Sequence, residues 1–298
     1  MTYLNKIFNK RDIVVLIIGI LAVLGGFFYI QFGVGGSKEM QNARQPIIFV
    51  SDKNRVSGAA QHLVTTTSRS GGAVAIHINV LDNGKIEYDG NQNVKAKQPI
   101  IEVNFNDRSK TTQQQAQSLN QILRKLNHRY AYKQYDAIGF GSGSLAVYYN
   151  AVKYRTSGNR MMLNHFVSIA GPYQGVLPLQ PPHGEHRTTN QRATQPPQPV
   201  RPDWATITNQ RFPSYQEMQH LSKRLDPNTE VLNIYGVISD RDRSDGRVSE
   251  ASASSLKKLI KNKDNYQSLR LTGPYAEHAS LLDNQVAERI INRFLFNQ

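Results

Sequence analysis

Apolar and polar positions along the chain fall into short runs and longer periodic blocks. Pro46 to Val50 (PIIFV) is wholly apolar and predicts a buried strand. Ala73 to Val80 (AVAIHINV) and Lys85 to Tyr88 flank Asp82-Asn83-Gly84. Asn-Gly between two such runs predicts a hairpin. Pro99 to Phe105 (PIIEVNF) predicts another strand. In Thr111 to Tyr130, the apolar residues Ala116, Leu119, Ile122, Leu123, Leu126 and Tyr130 recur at spacings of three and four, as on one face of a helix. Further strands are predicted over Tyr135–Phe140, Phe166–Ala170, Thr229–Gly236 and Tyr266–Thr272. Helices are predicted over Leu145–Tyr154, Ser249–Asn262 and Asn284–Phe296. Strands alternating with helices imply an α/β class, with a mostly parallel sheet covered on both faces.

Two segments break this rhythm. Ile13 to Phe32 is almost wholly apolar, no charge occurs from Ile13 to Ser37, and Lys6, Lys10 and Arg11 precede it. Twenty residues make a helix of about 30 Å, enough to cross a bilayer. Basic residues ahead of it favour a cytoplasmic N-terminus. The apolar stretch exceeds the 7–15 residues of a cleaved signal peptide. The expected plan is a cytoplasmic tail over 1–12, a single-pass anchor over 13–34, a tether over 35–45 and an extracellular domain over 46–298. The second break, 173–205, is dense in proline and poor in large apolar residues, which predicts a disordered insertion or a cap over a site.

The chain of 298 residues has no cysteine, which excludes disulfides, a thiol nucleophile and a cysteine–zinc site. Its net charge is +14. The basic residues are scattered rather than clustered with aromatics, which argues against nucleic acid. Outside a cell they would meet anionic wall polymers or lipid headgroups, the partners expected besides the membrane itself.

Candidate chemistry centres on Gly139-Phe140-Gly141-Ser142-Gly143, between a strand and a helix. α/β-Hydrolases carry G-x-S-x-G at such a turn, with a nucleophilic serine in the middle. Here the middle residue is Gly141. Ser142 is one position late, and the residue two before it is the bulky Phe140. A dinucleotide loop would put glycine or alanine at position 144, where Ser144 stands, and an acid about 20 residues on. No Asp or Glu occurs between Asp136 and Glu185, so that reading fails and no cofactor is expected. His183-Gly184-Glu185-His186 lies in the proline-rich stretch and is expected to be solvated rather than metal-binding.

The succession PIIFV, Asn-Gly hairpin, PIIEVNF, GFGSGS, FVSIAGPYQG, VLNIYG, SDGRVSEASASSLK and EHASL resembles an α/β-hydrolase family of membrane-anchored cell-surface hydrolases from Gram-positive bacteria. The resemblance covers about Gln45 to Gln298. It implies an α/β-hydrolase fold and a serine–acid–histidine triad in that chain order. The acid then falls on Asp245, the histidine on His278 and the nucleophile on Gly141. The loop beside the oxyanion hole falls on Ser51-Asp52, where a carboxylate opposes oxyanion charge and Lys53 and Arg55 could offset it; the Ser142 N–H is the other expected donor. Two readings follow. One is a catalytically degenerate binding or accessory protein at the membrane surface. The other is a working esterase- or lipase-like hydrolase using Ser142, His278 and Asp245.

Overall fold

A computed structural model describes residues 45–51, 58–69, 72–90, 98–106, 110–154, 161–177 and 212–296. The chain divides into Met1–Ser37 and Lys38–Gln298. The apolar segment 13–34 and residues 35–44 of the tether lie outside the described residues, as do residues 178–205 of the proline-rich stretch and 206–211 after it. No helix among the described residues is long and apolar enough to cross a membrane.

Eight strands form one sheet: β1 (Ile47–Val50), β2 (Gly72–Val80), β3 (Ile86–Asp89), β4 (Gln98–Phe105), β5 (Gln134–Phe140), β6 (Met162–Ile169), β7 (Glu230–Val237) and β8 (Tyr266–Thr272). Their order across the sheet is β3-β2-β4-β1-β5-β6-β7-β8, and every neighbouring pair is parallel except β2–β3. Central strands covered on both faces read as continuous apolar runs. All four residues of β1 are buried, as are the last six of β5. The edge strands fully bury no residue: β3 alternates half-buried and exposed positions, and four of the seven residues of β8 are exposed. The β2–β3 hairpin turns as the Asn-Gly pair predicts: Gly84 has φ +81°, and the Lys85 N–H donates to Asn83 Oδ1 at 2.9 Å.

The helices are α1 (Gly58–Arg69), α2 (Thr112–Tyr130), α3 (Ser142–Lys153), α4 (Tyr215–Leu221), α5 (Glu250–Ser254), α6 (Leu256–Leu259) and α7 (Gln285–Phe296). One face of the sheet packs α2 through α6; the other packs Leu63 and Val64 of α1 and Ile291, Phe294 and Leu295 of α7. The apolar stripe expected on α2 is the buried one, and Thr111 caps it in a reciprocal box with Gln114.

Three local expectations differ from the structure. The helix after the glycine turn begins at Ser142 rather than Leu145, and nearly all its residues are buried, so it carries no one-sided stripe. The helix expected over Ser249–Asn262 is two short pieces. Ser255 Oγ donates to the Ser252 carbonyl at 2.7 Å, and the Ser255 N–H reaches the same oxygen, so serines compete with the helical ladder at the break. The expectation of an insertion from residue 173 meets a packed segment at its start: Tyr173 is buried and bonds Ser168 at 2.8 Å.

Candidate functional site

The sheet order fixes where a site can form. β1 and β5 are adjacent, and the chain continues to opposite flanks from them. Open α/β sheets bind ligands at such switch points, outside the carboxyl ends of the strands. Ser51 follows β1 there, buried, and the glycine turn follows β5.

A single residue, Gly141, joins β5 to α3. Its φ of +54° and ψ of −124° lie where glycine is favoured. Its N–H donates to the Ile169 carbonyl at 2.9 Å, and its carbonyl accepts from Ser144 N–H at 3.1 Å. The residues two before and two after it must be small. A Cβ on Gly139 would stand 2.6 Å from Ser144 Cα, and one on Gly143 would stand 2.3 Å from the Val50 carbonyl oxygen. This frame is centred on Gly141. Ser142 has Phe140 and Ser144 at the equivalent distances and is itself the buried first residue of α3. Ser144 Oγ donates to the Gly139 carbonyl at 2.7 Å, which fastens the turn.

Asp245 follows β7 and His278 follows β8, and the structure brings them together. His278 Nδ1 lies 2.8 Å from Asp245 Oδ2, with side chains 13 % and 1 % exposed. Asp245 Oδ1 accepts the backbone N–H groups of Arg247 at 2.9 Å and Val248 at 2.7 Å. The His278 N–H adds a bond to the Asp245 carbonyl at 2.9 Å. An ionised carboxylate only accepts, so Nδ1 carries the proton and Nε2 is the basic nitrogen. The His278 ring lies against Phe140, centroids 4.7 Å apart, which sets it beside the elbow. The arrangement can take up a proton, but residue 141 has no hydroxyl to give one. Asp52, Lys53 and Arg55 lie outside the described residues, as do His183 and His186. Among the described residues no group of three or more His, Cys, Asp or Glu could hold a metal ion.

Several positioning features went unread in the sequence. Gly236, near the end of β7, allows the histidine loop to close in: a Cβ there would stand 1.9 Å from the Ala276 carbonyl oxygen and 3.1 Å from Asp245 Cβ. Glu250, at the start of α5, joins Arg243 of the acid loop to Arg270 of β8, each through an Nε bond of 2.8 Å. Partial burial raises the Glu250 pKa, but the two guanidinium groups more than offset that, and the net shift is downward. Leu177 N–H donates to the Arg247 carbonyl at 2.8 Å, so the segment leading into residues 178–211 is rooted beside Asp245. A second aspartate–histidine pair lies at the amino end of β5. Asp136 accepts from His165 Nδ1 at 2.8 Å and from Gln98 Nε2 at 2.8 Å, joining β4, β5 and β6 at the opposite end of the strands from the elbow.

Residues 36–298 match the family described as alpha/beta hydrolase of unknown function (DUF915). The chain belongs to this α/β-hydrolase family. Among solved structures, the DUF915 chain is similar to the lin2722 product of Listeria innocua, at 23 % identity and a TM-score of 0.66 over 86 % of this chain and 95 % of that one. It is also similar to a Lactobacillus plantarum cell surface hydrolase, at 17 % identity and a TM-score of 0.61 over 86 % and 93 %. At these identities the likeness is one of fold. No curated protein matches the chain.

Proposed function

We propose that this DUF915 protein is a degenerate α/β-hydrolase with a binding or accessory role, anchored by residues 13–34 with its hydrolase-fold domain outside the membrane. The observation that carries the reading is Gly141 at the centre of the elbow, with φ +54° and flanks that cannot accept a Cβ. A triad needs a hydroxyl at that position, a base to take its proton and a carboxylate to orient the base. Asp245 and His278 supply the last two only. The anchor rests on the uncharged run from Ile13 to Ser37 and the basic residues before it. Anionic wall polymers or lipid headgroups are the partners that the net charge of +14 favours there.

The retained Asp245–His278 bond of 2.8 Å favours a second reading, in which Ser142 is the nucleophile of an active ester hydrolase. Ser142 begins α3 and lies outside the small-residue frame, which argues against it. Turnover of p-nitrophenyl acetate by the full chain separates the two. The degenerate reading expects equal rates from the native chain and Ser142→Ala. A native rate that Ser142→Ala abolishes would establish the active hydrolase. Protease added to intact protoplasts tests the topology: the domain beyond residue 45 should be digested, and its full protection would overturn the external placement.

A further inference from the structure

β7 and β8 begin at Glu230 and Tyr266, and the segments that lead into them are fastened together. Asn265 Nδ2 donates to the Pro227 carbonyl at 2.9 Å, and Tyr215 Oη ties α4 to the Ser255 carbonyl at 3.0 Å. Cations scattered along the chain are thereby gathered at the amino ends of these strands. Lys223 and Arg224 stand before β7; Lys257, Lys258, Lys261 and Lys263 lie in α6 or between it and β8. Three acids share this end, Asp226, Glu230 and Asp264. The other ends of the same strands carry the opposite balance: residues 238–250 and 273–283 hold six acids against three arginines. The elbow lies at that acidic end.

Cations near the end of a helix are commonly explained by the carbonyls left open there. That accounts for Lys263, whose Nζ donates to the Lys257 and Ile260 carbonyls. It does not account for Lys223, Lys257, Lys258 and Lys261. All four are exposed, and among the described residues their ammonium groups make no ion pair or hydrogen bond. The three acids do not neutralise them either: none forms an ion pair with these lysines, and Asp226 accepts the Asn228 N–H at 2.9 Å. Charges that served solubility alone would be interspersed over both ends of the strands. Here the sign changes from one end to the other.

Lysine ammonium groups are point charges on flexible stems, suited to a broad anionic surface more than to one shaped ligand. The chain's own entry point identifies that surface. Gln45 enters the sheet at the same end, where its Nε2 donates to Asp136 at 3.1 Å, and β1 lies three strands from β7, about 14 Å at ~4.8 Å per strand. The ten residues 35–44 span at most about 36 Å, so the anchor proposed at 13–34 keeps the lysine end of the domain within reach of a bilayer. We propose that Lys223, Lys257, Lys258 and Lys261 dock on anionic lipid headgroups, holding the amino ends of the strands toward the bilayer and turning the elbow away from it. This rests on the membrane anchor of the proposed function. It implies that the ligand of the elbow arrives from the aqueous side and is not a lipid of the same bilayer.

The chain has no cysteine, so one introduced cysteine takes a fluorescent label at a single place. Asn228→Cys reports from the lysine end and Tyr275→Cys, at an 81 % exposed position, from the histidine loop. The labelled full chain is placed in phosphatidylcholine vesicles with or without phosphatidylglycerol, all containing a nitroxide-headgroup lipid as quencher. Phosphatidylglycerol should raise quenching at 228 several-fold and leave 275 unchanged. Salt at about 1 M, where the Debye length is about 3 Å, should remove the increase. So should the combined Lys223→Gln, Lys257→Gln, Lys258→Gln and Lys261→Gln variant, since each lysine near an anionic surface contributes about fivefold in binding. Arg241→Gln with Arg247→Gln, at the other end, should retain it.

Quenching at 228 that ignores phosphatidylglycerol, survives in the four-lysine variant or is matched at 275 would overturn the proposal. Recovery of the 228 fluorescence by soluble poly(glycerol phosphate), at a phosphate concentration equal to that of the lipid, would assign the lysines to a polymer and overturn it as well. Flotation with pure phosphatidylcholine vesicles reads the anchor alone. If that flotation failed, the anchor would fall, while flotation that requires phosphatidylglycerol and the four lysines would still support the docking surface.

Discussion

Asp245 holds the His278 ring through Nδ1 at 2.8 Å while its other oxygen accepts two backbone N–H groups, from Arg247 and Val248. One carboxylate thus orients the imidazole and closes its own loop. Asp245→Ala should therefore cost stability as well as any chemistry, because it leaves buried donors without an acceptor at about 1–3 kcal/mol per group. Asp245→Asn keeps an acceptor for the turn but places an amide against Nδ1. Urea unfolding should rank the alanine variant clearly below the asparagine variant; equal midpoints would contradict the structural part of this role.

Gly236 supports the same pair from below. Gly236→Ala puts a methyl 1.9 Å from the Ala276 carbonyl oxygen, two residues before His278. The backbone must move, at a cost typical of overpacking, about 1–3 kcal/mol. A lowered melting temperature and a displaced His278 imidazole resonance are expected. An unchanged spectrum would mean that the histidine loop does not depend on this contact.

Glu250 provides a pH signature. Its pKa is lowered in the folded state, because hydrogen bonds and charge from Arg270 and Arg243 outweigh its partial burial. A carboxylate with a depressed folded pKa contributes stability that is fully present above its ordinary value, 4.5, and is lost as pH falls through the lower folded value. The native chain should thus exceed Glu250→Gln in melting temperature at pH 6 to 7, and the gap should shrink below about pH 4.5. A gap independent of pH would remove Glu250 as the cause.

Much of this architecture was legible because burial on both faces writes itself as continuous apolar runs, as in Ile47–Val50 and Pro99–Phe105. The stripe on α2 was equally plain. α1 was not, since its sequence GAAQHLVTTTSR offers only Leu63 and Val64 as large apolar residues; it turns threonine and serine hydroxyls back onto its own carbonyls, as Thr65 does to Gln61 at 2.8 Å. α4 did carry a signal, Ser214 three residues before Glu217, and the Glu217 N–H does donate to Ser214 Oγ. The pairing of Asp245 with His278 was reachable only through the family resemblance of SDGRVSEASASSLK and EHASL, which implies both residues. The Arg243–Glu250–Arg270 connection was not, because its partners are seven and 20 residues apart and the sheet alone makes them neighbours. Gly236 is unremarkable locally, and only the returning histidine loop gives it a reason.

The elbow conformation itself has a measurable cost for a side chain. At φ +54° and ψ −124°, Gly141→Ser forces a side chain into a backbone region that residues other than glycine rarely adopt, at a cost of about 1–3 kcal/mol. The urea midpoint should fall accordingly with the slope unchanged. No loss of stability would mean that the turn relaxes and that the glycine is not required by the backbone.

On the degenerate reading, the elbow lacks a nucleophile but keeps the base and its orienter. Labelling of the full chain with a fluorophosphonate reads this directly, since stable modification needs an activated serine hydroxyl. The native chain should remain unlabelled. Gly141→Ser should gain label, and Gly141→Ser with His278→Ala should lose it again. Stable labelling of the native chain at Ser142, abolished by Ser142→Ala, would instead make Ser142 the nucleophile of an active hydrolase.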